Sequence, residues 1–218
     1  SLDRVGLFTG CVMDVSEAAV HESTVRLLRA IGYDVVVPEE QGCCGALHVH
    51  SGDRITAREL AETNRQAFAE HNFDLVVTNA AGCSAQLKDY HHLFPKSDPG
   101  HNKDWKGLSS KIVDILELLS RHPEEVTQLS WRQEEDVVLY DAPCHLMHAQ
   151  KIDANPRQLV NSLPGVKLVP LTESNWCCGS AGIYNLLQPE LAGDVLKRKI
   201  DSVRETLEAN PKATTLVT

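Results

Sequence analysis

Two stretches of the chain carry a pair of adjacent cysteines followed by glycine. Residues 41–47 read QGCCGAL, and residues 175–181 read NWCCGSA. A single cysteine precedes each pair: 31 residues separate Cys11 from the first pair and 32 separate Cys144 from the second. A further cysteine, Cys83, follows the first pair. The two similar intervals predict that the thiols form two sets built in the same way.

Sets of thiolates indicate the chemistry of soft metals. A convergent set of four suits zinc or an iron-sulfur cluster, whereas any single cysteine is as often a small apolar core residue. Because consecutive side chains of an extended backbone point apart, two adjacent thiolates reach different iron atoms more easily than one tetrahedral ion. The glycine after each pair permits a tight turn. The pattern therefore favours a cluster, and zinc remains the alternative.

Apolar runs of strand length alternate with helical segments in the same order in both halves of the chain. The runs are 5–9, 34–38 and 74–79 in the first half and 137–141, 166–170 and 214–218 in the second. This alternation predicts an α/β fold that is an internal duplication of two βαβ-like halves, each a parallel sheet flanked by helices. Because the cysteines follow the strands, we expect the cysteine loops to meet at the carboxyl edge of each sheet.

The last helical segment is the longest in the sequence. Proline at its first position favours a helix beginning at Pro189. Five apolar residues recur at helical spacing and predict the side of this helix that faces the core: Leu191, Leu196, Ile200, Val203 and Leu207.

The boundary between the halves is expected in residues 120–135, which are polar and contain a proline. We accordingly place the first CCG repeat at residues 1–125 and the second at 126–218. Cys83 stands five residues after Thr78, but the equivalent position in the second repeat falls beyond Thr218. We therefore expect the second repeat to be truncated at its C-terminus.

The composition argues against several classes of protein. With 21 basic and 30 acidic residues the formal net charge is −9, so the chain lacks the basic surface that nucleic acids require. No apolar run approaches the roughly 20 residues of a membrane span, and no secretion signal stands at the N-terminus. Seven cysteines without such a signal favour thiols or metal ligands over disulfides. We expect a soluble, cytoplasmic protein without a nucleic-acid partner.

The cysteine pattern resembles that of the cysteine-rich (CCG) domain family. This family includes a subunit of heterodisulfide reductase and the iron-sulfur subunits of lactate utilisation and glycolate oxidase. CHLMHAQKI from Cys144 and CCGSAGIYNLLQPELAGDVLKRKI from Cys177 are similar to the second repeat of the glycolate oxidase subunit. GCVMDVSEAA, GCCGALHVHSG and GCSAQLKDY are similar to the first repeat of the same C-terminal region.

The resemblance implies an iron-sulfur electron-transfer subunit, here a fragment, of a complex that oxidises glycolate or a related 2-hydroxy acid. Its partners would be flavin-containing subunits that deliver electrons and a quinone or another acceptor that receives them. The complex would be cytoplasmic or peripheral at the inner face of the membrane. The chain lacks the ferredoxin-like segment of the glycolate oxidase subunits, so we expect it not to turn over glycolate alone. A lactate-utilisation subunit, a zinc-binding structural or docking domain and a thiol-disulfide enzyme remain alternatives.

All seven cysteines are expected to bind the cofactor, and no catalytic residue is predicted. The ligands of the cluster or of a metal ion are Cys11, Cys43, Cys44, Cys83, Cys144, Cys177 and Cys178. The heterodisulfide reductase version ends each repeat in CxxC and binds a non-cubane 4Fe-4S cluster through five cysteines. Gln86 stands in place of the last of these cysteines in the first half, which argues against a five-cysteine site there. We expect a 4Fe-4S cluster and leave its non-cubane form open.

Four histidines lie beside the cysteines and could serve as ligands or proton carriers. They are His48, His50, His145 and His148. The interpretation we favour for each is an ordinary solvated or hydrogen-bonded loop residue.

Overall fold

The structure, a computed structural model, describes residues 3–95, 97–98, 103–131 and 135–218. The chain divides into two compact units, Ser1–Leu118 and Leu119–Thr218, called here the first unit and the second unit. Residues 132–134 of the expected boundary lie outside the described residues. None of the described helices has the length and apolar character needed to cross a membrane.

The first unit contains a four-stranded parallel sheet with the order β2-β1-β3-β4. Its strands are β1 (Arg4–Phe8), β2 (Asp34–Val36), β3 (Leu75–Thr78) and β4 (Ile112–Asp114). The central strand β1 is short and apolar because helices cover both of its faces, and four of its five residues are buried. The strand β4 was not predicted, because three residues after a polar stretch are too few to show a repeat of apolar positions.

Helices surround this sheet and complete the core. They are α1 (Val12–Ser16), α2 (Ala18–Ala30), α3 (Ala46–His50), α4 (Arg54–Ala69), α5 (Ala81–Lys88), α6 (Trp105–Lys111), α7 (Ile115–Leu119) and a 3-10 turn (Tyr90–Leu93). The helix α4 begins where the Asp53 carboxylate accepts a hydrogen bond from Thr56 N–H at 3.1 Å. Its last turn brings Phe68 edge-on to Phe8 and Phe73 in the core.

The second unit contains a three-stranded parallel sheet with the order β6-β5-β7. Its strands are β5 (Asp136–Tyr140), β6 (Val166–Val169) and β7 (Ala213–Val217). Its helices are α8 (Pro123–Thr127), α9 (Ala154–Ser162), α10 (Tyr184–Leu187), α11 (Pro189–Ala209) and a π-helix (His145–Ala149). In both units the first strand is central, with the second on one side and the third on the other, which confirms the predicted α/β duplication.

The core-facing side predicted for α11 is only partly correct. Val203 and Leu207 are partly buried and pack against the apolar cluster of Leu139, Leu171 and Ala213. Leu191, Leu196 and Ile200 are exposed, whereas the buried side carries Ala192, Lys199, Ser202 and Thr206. This side packs on the irregular loop after β6, whose backbone groups need hydrogen-bond partners when they are buried. Accordingly, Ser202 Oγ donates to the carbonyl oxygen of Thr172. Hydrogen bonding to this loop, together with the apolar packing of Val203 and Leu207, sets the orientation of this helix.

Candidate metal-binding thiol sites

The four thiols of the first unit converge at the carboxyl edge of its sheet. Cys11 follows β1, Cys43 and Cys44 lie between β2 and α3, and Cys83 lies in the first turn of α5 after β3. The Sγ atoms of Cys11 and Cys43 are 3.4 Å apart. The thiol of Cys44 interacts with those of Cys43 and Cys83, so each of the four thiols contacts at least one other. All four residues predicted for this set therefore come together, and none is in a disulfide.

Crowding of the thiols opposes their ionisation in the metal-free chain. The hydrogen bond with Cys44 and burial raise the pKa of Cys43 far above its usual value of 9.0. Hydrogen bonding from Cys43 lowers the pKa of Cys44, but the hydrogen bond with Cys83 and burial outweigh it and raise this pKa to about 12. Four thiolates this close repel one another unless a cation offsets their charge, so metal binding and proton release are coupled. The donor set thus fits a metal centre.

A buried amide fixes the backbone of the first cysteine pair. Asn64, on α4, is 0% exposed. Its Oδ1 accepts from Gly42 N–H at 2.9 Å, and its Nδ2 donates to the Cys43 carbonyl oxygen at 2.9 Å and to Tyr90 Oη at 2.9 Å. The Tyr90 hydroxyl in turn donates to the carbonyl oxygen of Cys44 at 3.0 Å. The loop is held by fully satisfied buried groups, so the pair is positioned before any ligand binds.

The three thiols of the second unit also lie together. Cys144 stands at the start of the π-helix after β5, and Cys177 and Cys178 follow β6. Burial, the charges of Cys177 and Cys178 and a hydrogen bond with Cys177 raise the pKa of Cys144. Cys177 and Cys178 are exposed, in contrast to the buried Cys44 of the first unit. The second set is therefore more open to solvent than the first.

The glycines after the two pairs adopt the same conformation. Gly45 and Gly179 have φ angles of +80° and +83°, in the left-handed region that glycine occupies without strain. Gly45 N–H donates to Cys43 Sγ at 3.4 Å, and Gly179 N–H donates to Cys177 Sγ at 3.3 Å. The two CCG loops are thus repeated copies of one turn, in which the backbone bonds the first sulfur of each pair.

This duplicated turn agrees with a family model. The model of the CCG cysteine-rich domain matches the chain twice, over residues 5–88 and 138–215. The chain belongs to the CCG cysteine-rich domain family. The strand β4 and the helix α6 lie between the two matched CCG segments.

Several curated proteins are similar to this CCG chain over most of its length. A probable glycolate oxidase iron-sulfur subunit of Bacillus subtilis is 38% identical over 95% of the chain and 48% of its own length. A subunit of the fumarate reductase (CoM/CoB) of Methanothermobacter marburgensis is 32% identical over 93% of the chain and 38% of its own length. Lactate utilization protein A of Geobacillus thermodenitrificans is 30% identical over 93% of the chain and 82% of its own length. The chain spans about half or less of the first two relatives.

A glutamine joins the two cysteine loops of the first CCG repeat. Gln41 Oε1 accepts from Thr9 N–H at 2.8 Å, and Gln41 Nε2 donates to the carbonyl oxygens of Leu7 at 3.0 Å and Pro38 at 2.9 Å. The end of β1, which leads to Cys11, is thereby tied to the loop that carries Cys43. The sequence pattern did not identify Gln41, Asn64 or Tyr90, because single polar residues that bond mainly to loop backbone leave no spacing signal.

The histidines beside the CCG motifs have varied surroundings. His48 Nδ1 lies 3.3 Å from the Asp53 carboxylate. His50 ends α3 and is exposed, as is His148 in the π-helix, whereas His145 is partly buried. Elsewhere in the first unit, donor atoms of Asp89, His91 and His92 lie within 4.8 Å of one another in an open turn.

A buried carboxyl group lies at the end of β4, on the same edge as the cysteine loops of the CCG fold. Asp114 is 3% exposed and accepts hydrogen bonds from Ser84 Oγ at 3.2 Å and Leu116 N–H at 3.0 Å. Burial raises its pKa from 3.8 to about 6, although these hydrogen bonds and the charge of Lys88 act in the opposite direction. Near neutral pH the protein therefore buries a charge that its surroundings disfavour.

We expect the Asp114→Asn variant to be more stable than the wild type at pH 7.5 and equally stable near pH 4. Because the folded pKa is the higher one, the stabilisation from Asp114 is complete below about pH 4 and is lost as the pH rises through about 6. The rise of this pKa from 3.8 to about 6 corresponds to about 3 kcal/mol in unfolding free energy. Urea unfolding of the metal-free chain between pH 4 and 8 measures the difference in unfolding free energy between the variant and the wild type. The exposed Asp14→Asn variant should follow the wild type, and a constant difference for Asp114→Asn across this range would contradict the expectation.

Proposed function

We propose that this chain is an iron-sulfur electron-transfer module of a 2-hydroxy-acid oxidoreductase complex of the glycolate oxidase type. The observation that carries the proposal is the convergence of all four thiols of the first unit, repeated by three thiols in the second. Cys11, Cys43, Cys44 and Cys83 would hold one 4Fe-4S cluster. Cys144, Cys177 and Cys178 would contribute to a second. When bound, such a cluster accepts and releases single electrons.

The residues around the first thiol set suit this role. Asn64 and Tyr90 fix the backbone of the cysteine pair, and Cys44 is buried, so the inner side of the set is rigid and shielded from water. Cys11 is exposed, and its neighbours Val12 and Val15 are apolar and 64% and 87% exposed. Exposed apolar residues beside a redox site favour contact with a partner protein. We propose flavin-containing subunits as the electron donors and a quinone as the acceptor.

The chemistry of the substrate belongs to the partner subunits in this proposal. The names of the relatives include glycolate oxidase and lactate utilization, so glycolate and lactate are both candidate substrates of the complex. We propose glycolate, because the glycolate oxidase subunit of Bacillus subtilis has the higher identity of the two relatives described above. The chain alone would then carry electrons and oxidise neither acid.

Anaerobic reconstitution of the 218-residue chain tests the proposal. We expect about four iron and four sulfide per occupied unit, with visible absorbance that bleaches on reduction by dithionite. Cys43→Ser should remove the iron of the first unit only, and Cys178→Ser that of the second, because each interrupts one set. Stoichiometric zinc without iron, even after reconstitution with iron and sulfide, would instead indicate a structural zinc domain.

A further inference from the structure

The helices behind the two cysteine pairs can be aligned residue by residue. A methyl group built on Gly45 would lie 3.4 Å from the backbone of Ala57 in α4, and one built on Gly179 would lie 2.5 Å from the backbone of Ala192 in α11. Two helical turns further on, seven residues in each case, stand Asn64 and Lys199. Both are buried, with exposed fractions of 0% and 5%. One structural position therefore carries an amide in the first unit and a cation in the second.

The ammonium group of Lys199 contacts both cysteine loops of the second unit. Its Nζ donates to the Asp141 carboxylate at 2.7 Å and to the carbonyl oxygens of Glu173 and Ser174 at 3.3 and 3.2 Å. Asp141 stands three residues before Cys144, and Ser174 stands three residues before Cys177. These acceptors match the three donors of an ammonium group. One buried side chain thus ties the loop of Cys144 to the loop of Cys177 and Cys178.

We propose that Lys199 is the positioning residue of the second thiol set. In the first unit two neutral side chains share this work, since Gln41 joins the loops and Asn64 fixes the cysteine pair. In the second unit a single charge pair does both. The proposal deepens the proposed function by naming what assembles the second site, but the contacts it rests on involve no bound metal.

A charge pair makes this position sensitive to substitution. Lys199 and Asp141 are largely buried, so removing one partner leaves the other charge with poor solvation. Lys199→Met therefore releases the loops and also leaves the Asp141 carboxylate without its cationic partner. The double variant Asp141→Asn/Lys199→Met removes both charges and releases the loops without that penalty. The double variant therefore distinguishes a loss of loop positioning from a loss of folding caused by an unpaired buried charge.

Disulfide trapping in the metal-free full chain tests the proposal. Diamide takes two electrons and two protons from a pair of thiols and leaves a disulfide. Peptide mass spectrometry then gives the ratio of the Cys144–Cys177 disulfide to the Cys11–Cys43 disulfide in the same sample. In both Lys199 variants we expect this ratio to fall about tenfold, since loops that are no longer held together meet less often. Hydrogen exchange of β5 and β6 in the double variant should stay as in the wild type.

Two control variants bracket the result. Lys197→Met removes an exposed lysine of the same helix, which pairs only with Asp201 among the contacts described here, and should leave the ratio unchanged. Asn64→Leu should raise the ratio, because it loosens the first pair. An unchanged ratio in both Lys199 variants overturns the proposal. If the ratio falls in both Lys199 variants but the wild-type chain takes up no iron on reconstitution, the role of Lys199 is supported and the proposed function is contradicted, so the two failures are distinguishable.

Discussion

Gly179→Ala should lower the unfolding free energy of the second unit by about 3 kcal/mol. Two costs combine at this position. The φ angle of +83° disfavours a side chain, and a Cβ atom would lie 2.5 Å from the carbonyl oxygen of Ala192 in α11. To relieve this clash, either the turn or the helix must move. If the turn moves, the hydrogen bond from Gly179 N–H to Cys177 Sγ is lost. Hydrogen exchange of β5 and β6 in increasing urea measures the loss.

Two glycines separate these costs. Gly52 has a φ angle of +84° but no atom within 4 Å of a built Cβ, so Gly52→Ala reports backbone strain alone, about 1 kcal/mol. Gly193, in the exposed interior of α11, has neither problem, and Gly193→Ala should stabilise the helix by up to about 1 kcal/mol. If Gly179→Ala costs no more than Gly52→Ala, the close approach to Ala192 has no energetic weight and our explanation is wrong.

Asn64→Leu should lower the unfolding free energy of the first unit, also by about 3 kcal/mol. Leucine has a similar volume but leaves Gly42 N–H and the Cys43 carbonyl oxygen, which are partly buried, without the partner that Asn64 provides. Each unsatisfied buried group costs about 1–3 kcal/mol. The same loss frees the cysteine pair, so the iron bound by the first unit should fall with the stability. Urea unfolding of the metal-free chain and iron analysis after reconstitution measure the two effects.

Gln66→Leu is the matched control for Asn64→Leu. Gln66 lies two residues later on the same helix, is exposed, and donates to the Glu62 carboxylate. Its replacement should change the unfolding free energy by no more than about 0.5 kcal/mol. Equal effects of the two leucine variants would show that helix propensity or the loss of any amide side chain, and not the hold on the cysteine pair, explains the result.

The sequence predicted those parts of the fold that depend on local pattern. Strand runs such as 5–9 and 74–79 are short, apolar and buried on both faces, and the cysteines that follow them meet where a parallel sheet requires. A tight turn at the glycine after each pair was also expected, and the structure gives both glycines a left-handed φ angle. In the first unit these features place the loops of all four cysteines at one edge of the sheet.

The sequence did not predict the residues that hold the loops. Hydrophobic periodicity placed Leu191 on the core side of α11, but it is 57% exposed, while Lys199 is buried. Periodicity assumes that a buried helix face is apolar, and this assumption fails where the face must satisfy the polar backbone of a loop. Aligning α4 with α11 through Gly45 and Gly179 would have singled out Asn64 and Lys199 as a pair. That comparison needs the turn geometry, which the structure supplies.

The shared position of Asn64 and Lys199 also bears on the history of the molecule. After a duplication the two copies start with the same residue, and each copy can then change only in ways that its own loops tolerate. A swap between amide and ammonium required matching changes nearby, such as a carboxylate at position 141 where the other copy has Phe8 three residues before its cysteine. We infer that divergence at this position involved coupled substitutions, and we expect either residue placed alone in the opposite copy to destabilise the loops that it meets there.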